Sequence, residues 1–514
     1  MTAWLDALLG RFTMYRLVLY GLALLFVVGL VFTLLGVVNP GGASGPTGAL
    51  AMLASAAVAF LATALSSWLF AAIFRVTPHT ESTVITAGLL YFILPPTLSI
   101  LPDGPSTPSL VGVAVAGVIA SASKYLLALR GRHVFNPAAA GAFAVTLAGL
   151  SYAAWWPGNP WMLPFVVVLA FLILFRTRRL PMGGVYVAVG LAAAAAQYTL
   201  FGLGPVVGLQ YAATQSALWF FVGFMLSEPL TLPPRRWQQL LYAGLAAVLY
   251  FLSFHVGPFY NSPEFALLVV NLLAFLAGQR RGIRLEFAAR RQLSPSSWEF
   301  DFRPLRPVAF RPGQFMELTL PHGKSDSRGW RRVFSIASAP GDLLRFGIRL
   351  PEKSSSFKRA LLELEPGTKV SATSVGGDFL LPNDPERPLL LVAGGIGITP
   401  FVEHLEQAAA EAGDRDIAVV YAVSSNDDLA YAAQLEKAGC TVALASPEKP
   451  ATLPAGWTWI GPDRLTGEAL LAAVPDAASR EAFLSGPPSM VAALKRALRR
   501  AKVRRIHTDV FVCY

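Results

Sequence analysis

The chain has 514 residues, 54% of them hydrophobic and only 14% charged, with a net charge of +11. Soluble domains carry about 25% charged residues, so this is not the composition of a wholly soluble chain, and its length calls for more than one domain. The basic excess points to membrane topology rather than to nucleic acid, because many of the arginines lie in short loops between apolar runs.

The two cysteines, Cys440 and Cys513, exclude a cysteine-ligated iron–sulfur cluster and give no disulfide framework. Charges are scarce from Met1 to about Gly278 and ordinary from Arg280 onward. Residues 1–280 therefore read as a polytopic membrane domain. Its ten apolar segments are 15–38, 49–74, 83–101, 109–129, 136–153, 160–176, 182–201, 213–231, 238–256 and 264–279. Several approach 20 residues, the length that crosses about 30 Å of hydrocarbon. The first, from about Leu17, is read as a span and not as a cleavable signal peptide.

Arginines mark one set of loops: Arg11 and Arg16, Arg75, Arg130 and Arg132, Arg176, Arg178 and Arg179, Arg235 and Arg236, and Arg280, Arg281 and Arg284. The alternate loops (39–48, 102–108, 154–159, 202–212, 257–263) hold no Lys or Arg. This pattern predicts a multi-pass protein of the inner membrane with both termini cytoplasmic, which requires an even number of spans.

Three polar stretches interrupt the apolar segments. Glu81, Ser82, Thr83 and Thr86 lead into Leu94–Pro96; Gly131–Ala139 reads GRHVFNPAA; Phe224–Pro234 reads FMLSEPLTLPP. Acidic residues near membrane depth are costly and hint at function, yet Glu81 and Glu228 also suit helix N-termini. Asn136–Pro137 reads as a helix start. His79, His133 and His255 do not share a helix, which disfavours a bis-histidine haem.

Together these stretches resemble the family of flavin-carrying membrane proteins found in the sodium-pumping NADH:quinone reductase and in the Rnf complex, over residues 15–280. The resemblance implies flavin, often FMN esterified to Thr in an S/T-G-A-T motif. The nearest match here is Tyr211–Thr214, YAAT, which departs at the first and second positions and leaves Thr214 or a noncovalent flavin as alternatives. The resemblance also makes Asn136 a candidate cofactor contact.

From about Leu285 the pattern changes to short strand-like runs with Pro312–Gly313 and Pro366–Gly367 turns, which indicates an antiparallel β-barrel over 285–384. From Leu389 strands alternate with helices, which indicates a parallel α/β domain over 385–514, with strands at 389–393, 417–423, 441–445 and 482–485. In Leu389–Pro400, LLLVAGGIGITP, an apolar strand turns through Gly394, Gly395 and Gly397 into a helix beginning near Thr399 and Pro400. Free amides and a helix dipole at such a turn suit a pyrophosphate.

These two domains resemble the ferredoxin–NADP(+) reductase family, an FAD barrel followed by a nicotinamide-nucleotide domain. Arg332, Phe334 and Ser335 fit the family's R-x-[YF]-S flavin motif, and Ser354, Ser355 and Ser356 fall where the family's loop binds FAD phosphate. Gly394, Gly395, Gly397 and Thr399 match its nucleotide loop. Gly486, Pro487 and Met490 match its C-G-P-x-x-M element, with Ser485 in place of Cys. Phe511 and Tyr514 match its terminal segment. The resemblance implies Ser335, Ser485 and Phe511 around the hydride path. Asp427 and Asp428, after the second strand, favour NADH over NADPH.

The sequence thus reads as a membrane-bound NAD(P)H-dependent flavin oxidoreductase with FAD, NADH and a further redox centre, FMN by resemblance, in the helical half. Its expected partners are the dinucleotide, a quinone or extracytosolic redox protein, and the lipid bilayer, with no nucleic acid. Two other readings stay open: redox-driven Na+ or H+ translocation, and a membrane-anchored reductase for a soluble partner.

Overall fold

The computed structural model describes residues 9, 14–74, 80–104, 106–129, 132–233, 235–257, 259–277, 283–323, 326, 330–352, 354–377, 379–410, 415–437, 441–462 and 464–511. They fall into two compact units: Phe12–Arg281, and Gly282–Tyr514 together with Met1–Arg11.

The first unit is helical. Met14–Leu34, Gly45–Ile73 and Leu180–Leu200 are long and apolar enough to cross a membrane. Thr80–Ile93, Leu110–Leu126, Pro137–Leu147, Leu163–Arg176 and Pro263–Leu276 are apolar but shorter. Arg236–Phe251 is a further helix, and short hairpins pair β1 (Ala128–Leu129) with β2 (Arg132–His133) and β3 (His255–Val256) with β4 (Phe259–Tyr260).

Two expected segments break, for identifiable reasons. The 83–101 run stops being helical at Ile93, because Pro95 and Pro96 remove donors and push Leu94 out of the helical region. The 213–231 run divides. A helix over Pro205–Thr214 occupies what was expected to be mostly loop, and Leu218–Phe220 runs into a π-helical turn over Phe221–Met225. Pro205 at the first turn, after Gly204 with φ +83°, starts the additional helix.

Neighbouring helices approach closely where residues are small. A Cβ on Gly141 would sit 2.4 Å from the Ala116 carbonyl oxygen. Asn136 caps the Pro137–Leu147 helix, its Oδ1 accepting from the Ala139 N–H at 3.1 Å.

The second unit has two lobes. The first is built from β5 Ile283–Ser294, β6 Ser297–Pro304, β7 Phe315–Thr319, β8 Arg331–Ser335, β9 Leu344–Arg349 and β10 Lys369–Gly376, which form a six-stranded antiparallel sheet in the order β8-β7-β10-β5-β6-β9. Alternate residues of these strands, among them Phe287, Phe300, Phe302 and Phe346, bury a shared aromatic core. Beyond β8, the Ala337 N–H donates to the Arg345 carbonyl at 2.8 Å and links the two edges.

The second lobe is built from β11 Leu389–Gly394, β12 Ile417–Ala422, β13 Thr441–Ala445, β14 Trp457–Gly461, β15 Glu481–Gly486 and β16 Ile506–Val510, which form a parallel sheet in the order β14-β13-β12-β11-β15-β16. The expected strands are present, and β14 and β16 extend the sheet at its two edges. All six residues of β11 are buried, as a central strand covered on both faces requires. Leu389 and Leu391 face one core, Leu390 and Val392 the other.

The lobes meet where Gly347 of β9 touches the nucleotide lobe. A Cβ there would lie 2.5 Å from the Tyr431 hydroxyl and 3.0 Å from Thr399 Oγ1. Tyr431 is fully buried and holds φ +63°, a conformation rare for a bulky residue. Gly347→Ala should therefore overpack this seam and lower stability by about 1–3 kcal/mol, measured by denaturant unfolding.

Candidate nucleotide and flavin site

The parallel sheet reverses its winding between β11 and β15. From β11 the chain winds outward through β12, β13 and β14, then returns to the other side of β11 as β15. The carboxyl ends of the strands at such a switch point form the crevice in which open α/β sheets bind ligands. Here both flanking turns are built from glycine.

After β11 the chain forms a 3-10 turn over Gly395–Ile398 and then the helix Thr399–Ala410. A Cβ on Gly394 would lie 2.7 Å from both Sδ and Cε of Met490. A Cβ on Gly397 would lie 2.7 Å from the Ser485 carbonyl oxygen and 2.8 Å from the Gly486 Cα. Gly395 holds φ +54° and Gly486 φ +147°. The GGIG and GPP turns therefore pack backbone to backbone, and no side chain from Gly394, Gly395, Gly397 or Gly486 stands between the two strand ends.

The candidate residues divide by position. Ser485 is fully buried beside Ala393, and its hydroxyl has no hydrogen-bond partner. An unsatisfied buried hydroxyl at the crevice fits a ligand amide or carbonyl. The Phe511 N–H donates to the Gly486 carbonyl at 2.9 Å, which ties that half-buried aromatic to the same turn. Tyr514 lies outside the described residues. Thr399 is fully buried and its hydroxyl donates to the Ile396 carbonyl at 2.6 Å, which holds the turn.

In the antiparallel lobe, two separate motifs meet. Arg332 is buried, its guanidinium 5.4 Å from the centre of the Phe357 ring, and Phe334 packs on Phe346 and Phe357. Ser335 is buried at the end of β8. Ser355 caps the helix Ser356–Leu362, and the Ser354 hydroxyl donates to the Pro351 carbonyl. The sequence did not flag Asp326, which joins these motifs. Its Oδ2 accepts from the Ser356 N–H at 3.0 Å and its Oδ1 lies 3.8 Å from Arg332 Nη2. An amide and a guanidinium converging on one carboxylate are the donors that a phosphate takes. His322 also belongs to this cluster, with Nε2 2.9 Å from Ser356 Oγ.

Asp428 is engaged elsewhere than expected. Its carboxylate accepts from Ser296 Oγ at 2.6 Å and Ser294 Oγ at 3.3 Å, and lies 3.4 Å from Arg349 Nη2. It joins the two lobes, so of the acidic pair only exposed Asp427 remains open to a ribose.

Two titratable groups follow the glycine turn. Burial, helped by the neighbouring charge of Glu406, raises the Glu403 carboxyl to about 7. Burial lowers His404 to about 3, so it is neutral at pH 7.

In the helical unit, Thr214 ends its helix with its hydroxyl bonded to the Gln210 carbonyl at 2.8 Å. Asn136 Nδ2 donates to Glu228 Oε2 at 2.8 Å, and its N–H donates to Asn271 Oδ1 at 2.8 Å. Asn271 Nδ2 in turn donates to the Tyr242 hydroxyl at 2.7 Å. Glu228 is not a helix cap: it lies half-buried in the non-helical stretch after Met225, where Pro229 follows, and serves this network. Glu81 does lie in a helix first turn, paired with Arg16 at 3.1 Å. Buried Glu264, which accepts from Trp155 Nε1 at 2.9 Å, was not flagged from sequence; its only signal was its place after Ser262–Pro263 at a helix start.

Two outcomes follow. Gly394→Val should abolish dinucleotide binding while leaving flavin content intact, read by NADH titration and flavin absorbance. For Glu403, a raised carboxyl favours the protonated form in the folded state, so stability falls as pH rises from 4.5 to about 7. Glu403→Gln should raise the melting temperature at pH 8 and leave it little changed at pH 4.

Residues 391–496 match the family described as oxidoreductase NAD-binding domain. The toluate 1,2-dioxygenase electron transfer component of Pseudomonas putida is 30% identical over 43% of this chain and 64% of its own length. The aromatic O-demethylase reductase subunit of an Amycolatopsis strain is 29% identical over 40% and 62%. The chain thus spans just under two thirds of these relatives. A solved Amycolatopsis cytochrome P450 reductase overlaps 45% of this chain and 70% of its own, at 26% identity and a TM-score of 0.39. Residues 391–496 thus carry an oxidoreductase NAD-binding domain, and the C-terminal half of the chain is similar to the reductase components of electron-transfer systems.

Proposed function

We propose that the chain is a membrane-bound flavoprotein that oxidises cytosolic NADH and passes the electrons, through FAD, to a redox centre in its helical unit. A quinone or an extracytosolic protein is the final acceptor. The reading takes the ten apolar segments as spans with both termini cytoplasmic, and a flavin, FMN at or near Thr214, as the inner centre. The observation that carries it is the pair of interlocked glycine turns at the switch point, with the unpartnered Ser485 hydroxyl between them.

Gly394, Gly395, Gly397 and Gly486 leave the dinucleotide space to approach the backbone, Pro487 shapes the second turn, and Thr399 holds the first. Ser485 offers a hydroxyl to the nicotinamide, and Phe511 covers the crevice. In the other lobe, Arg332 and Ser354–Ser356 hold the FAD phosphates in place of Asp326, while Phe334 and Ser335 contact its ring system. Bound FAD supplies the chemistry that takes electrons as a pair and gives them up singly. The residues named align the two rings and exclude water.

Two further readings rest on specific observations. The network of half-buried Glu228 with buried Asn136, Asn271 and Tyr242 supports redox-driven Na+ or H+ translocation. The relatives' names, electron transfer component and reductase subunit, support a membrane-anchored reductase for a soluble partner. Sealed vesicles that develop a gradient on NADH addition would favour the first.

The main reading is tested on the purified full chain. It should show flavin absorbance that NADH bleaches without oxygen, and Ser485→Ala should slow the bleaching more than it weakens NADH binding. A chain without flavin, or with flavin indifferent to NADH, would contradict it.

A further inference from the structure

Between Pro488 and Thr508 the chain carries seven Lys or Arg residues and no Asp or Glu. The helix Pro488–Arg500 turns Val491, Leu494 and Leu498 into the sheet's core, so its apolar face is already covered. Arg496, Arg499 and Arg500 point outward, and Lys502 and Arg504 continue the exposed basic face. None of these five side chains has an ion-pair partner among the described residues. Arg505, also exposed, pairs with Glu481 at 3.5 Å. The face is rigidly held. Lys502 takes φ +65°, its N–H donates to the Arg499 carbonyl at 3.1 Å, and buried Val503 bonds back to Leu498 at 3.0 Å.

Its place in the fold separates it from the nucleotide site. The helix starts beside Gly486 at the carboxyl edge of the sheet and runs back about 20 Å. It delivers Arg505 to the start of β15, where the Ala482 N–H donates to the Arg505 carbonyl at 3.0 Å. The basic face thus lies at the edge opposite the glycine turns, where it can neither hold a dinucleotide phosphate nor dock an electron acceptor against the flavin. Five unpaired cations on one rigid face have no use inside the fold.

We propose that this face, Arg496–Arg505, is a docking surface for anionic phospholipid headgroups, which adsorbs the reductase module onto the leaflet. The proposal rests on the membrane reading above. The complementarity is one of charge: an anionic leaflet attracts clustered Lys and Arg, with no apolar insertion needed. Three helices of the same chain are long and apolar enough to cross a bilayer, so a lipid surface lies within reach.

The test uses the full chain in lipid nanodiscs, either phosphatidylcholine alone or phosphatidylcholine mixed with phosphatidylglycerol, at physiological salt. The readout is tryptic cleavage within 496–505. Cleavage should be roughly tenfold slower in the anionic discs, a modest return for five charges that each favour adsorption about fivefold. The triple variant R496E/R500E/R504E should cleave at other sites at equal rates in both discs and retain its flavin. Equal protection of the native chain in both lipids overturns the proposal, as does protection that survives in hydrogen-exchange measurements on the triple variant. Protection by duplex DNA with none from phosphatidylglycerol would make nucleic acid the partner and overturn it too. Failure of the chain to enter discs of either composition would instead sink the membrane reading, which keeps the two failures apart.

Discussion

The backbone contact between the turn after β11 and the turn after β15 is the constraint on which the rest of the module depends. Side chains at Gly394, Gly397 or Gly486 would collide with Met490, Ser485 or the opposing backbone. With them absent, two strand ends of one parallel sheet come close enough to line one crevice. The rest of the nucleotide lobe serves this arrangement. β11 is buried on both faces, Thr399 ties its hydroxyl into the turn, and the following helix begins where its positive end faces the crevice.

The second constraint is the seam between the lobes. Gly347 admits the Tyr431 hydroxyl, Asp428 receives two serine hydroxyls and faces an arginine from the antiparallel lobe, and Arg345 pairs with Glu406 at 3.1 Å. These contacts fix the separation between Arg332–Ser335 on β8 and the glycine turns on β11 and β15. A reaction between two bound rings depends on that separation more than on any acid or base. Burial near the seam also has a cost: together with the nearby charge of Glu406 it raises the Glu403 carboxyl to about 7.

Much of this was legible in the sequence, and for physical reasons. LLLVAGGIGITP announces a buried strand, a glycine turn and a proline-started helix, because each residue type fits one backbone requirement. Asn136–Pro137 announces a cap, and the structure has that cap. What failed to show was whatever depends on contacts between distant residues. Asp428 looks like a ribose-reading acid until the Ser296 hydroxyl is found beside it. Asp326 lies in a loop with no motif, yet it joins Arg332 to Ser356. Glu228 looks like a helix cap because an acid before a proline often is one; the π turn at Phe221–Met225 places it instead against Asn136. The 213–231 run looks like one span because composition does not register where a helix restarts.

The account's central claim is that NADH docks across the two glycine turns. Amide hydrogen exchange on the full chain, with and without NADH, tests it most directly. The account predicts slowed exchange confined in the module to Gly394–Thr399 and Ser485–Met490, and no such slowing in Gly394→Val. Flavin bleached by NADH with both turns exchanging as freely as before would contradict it.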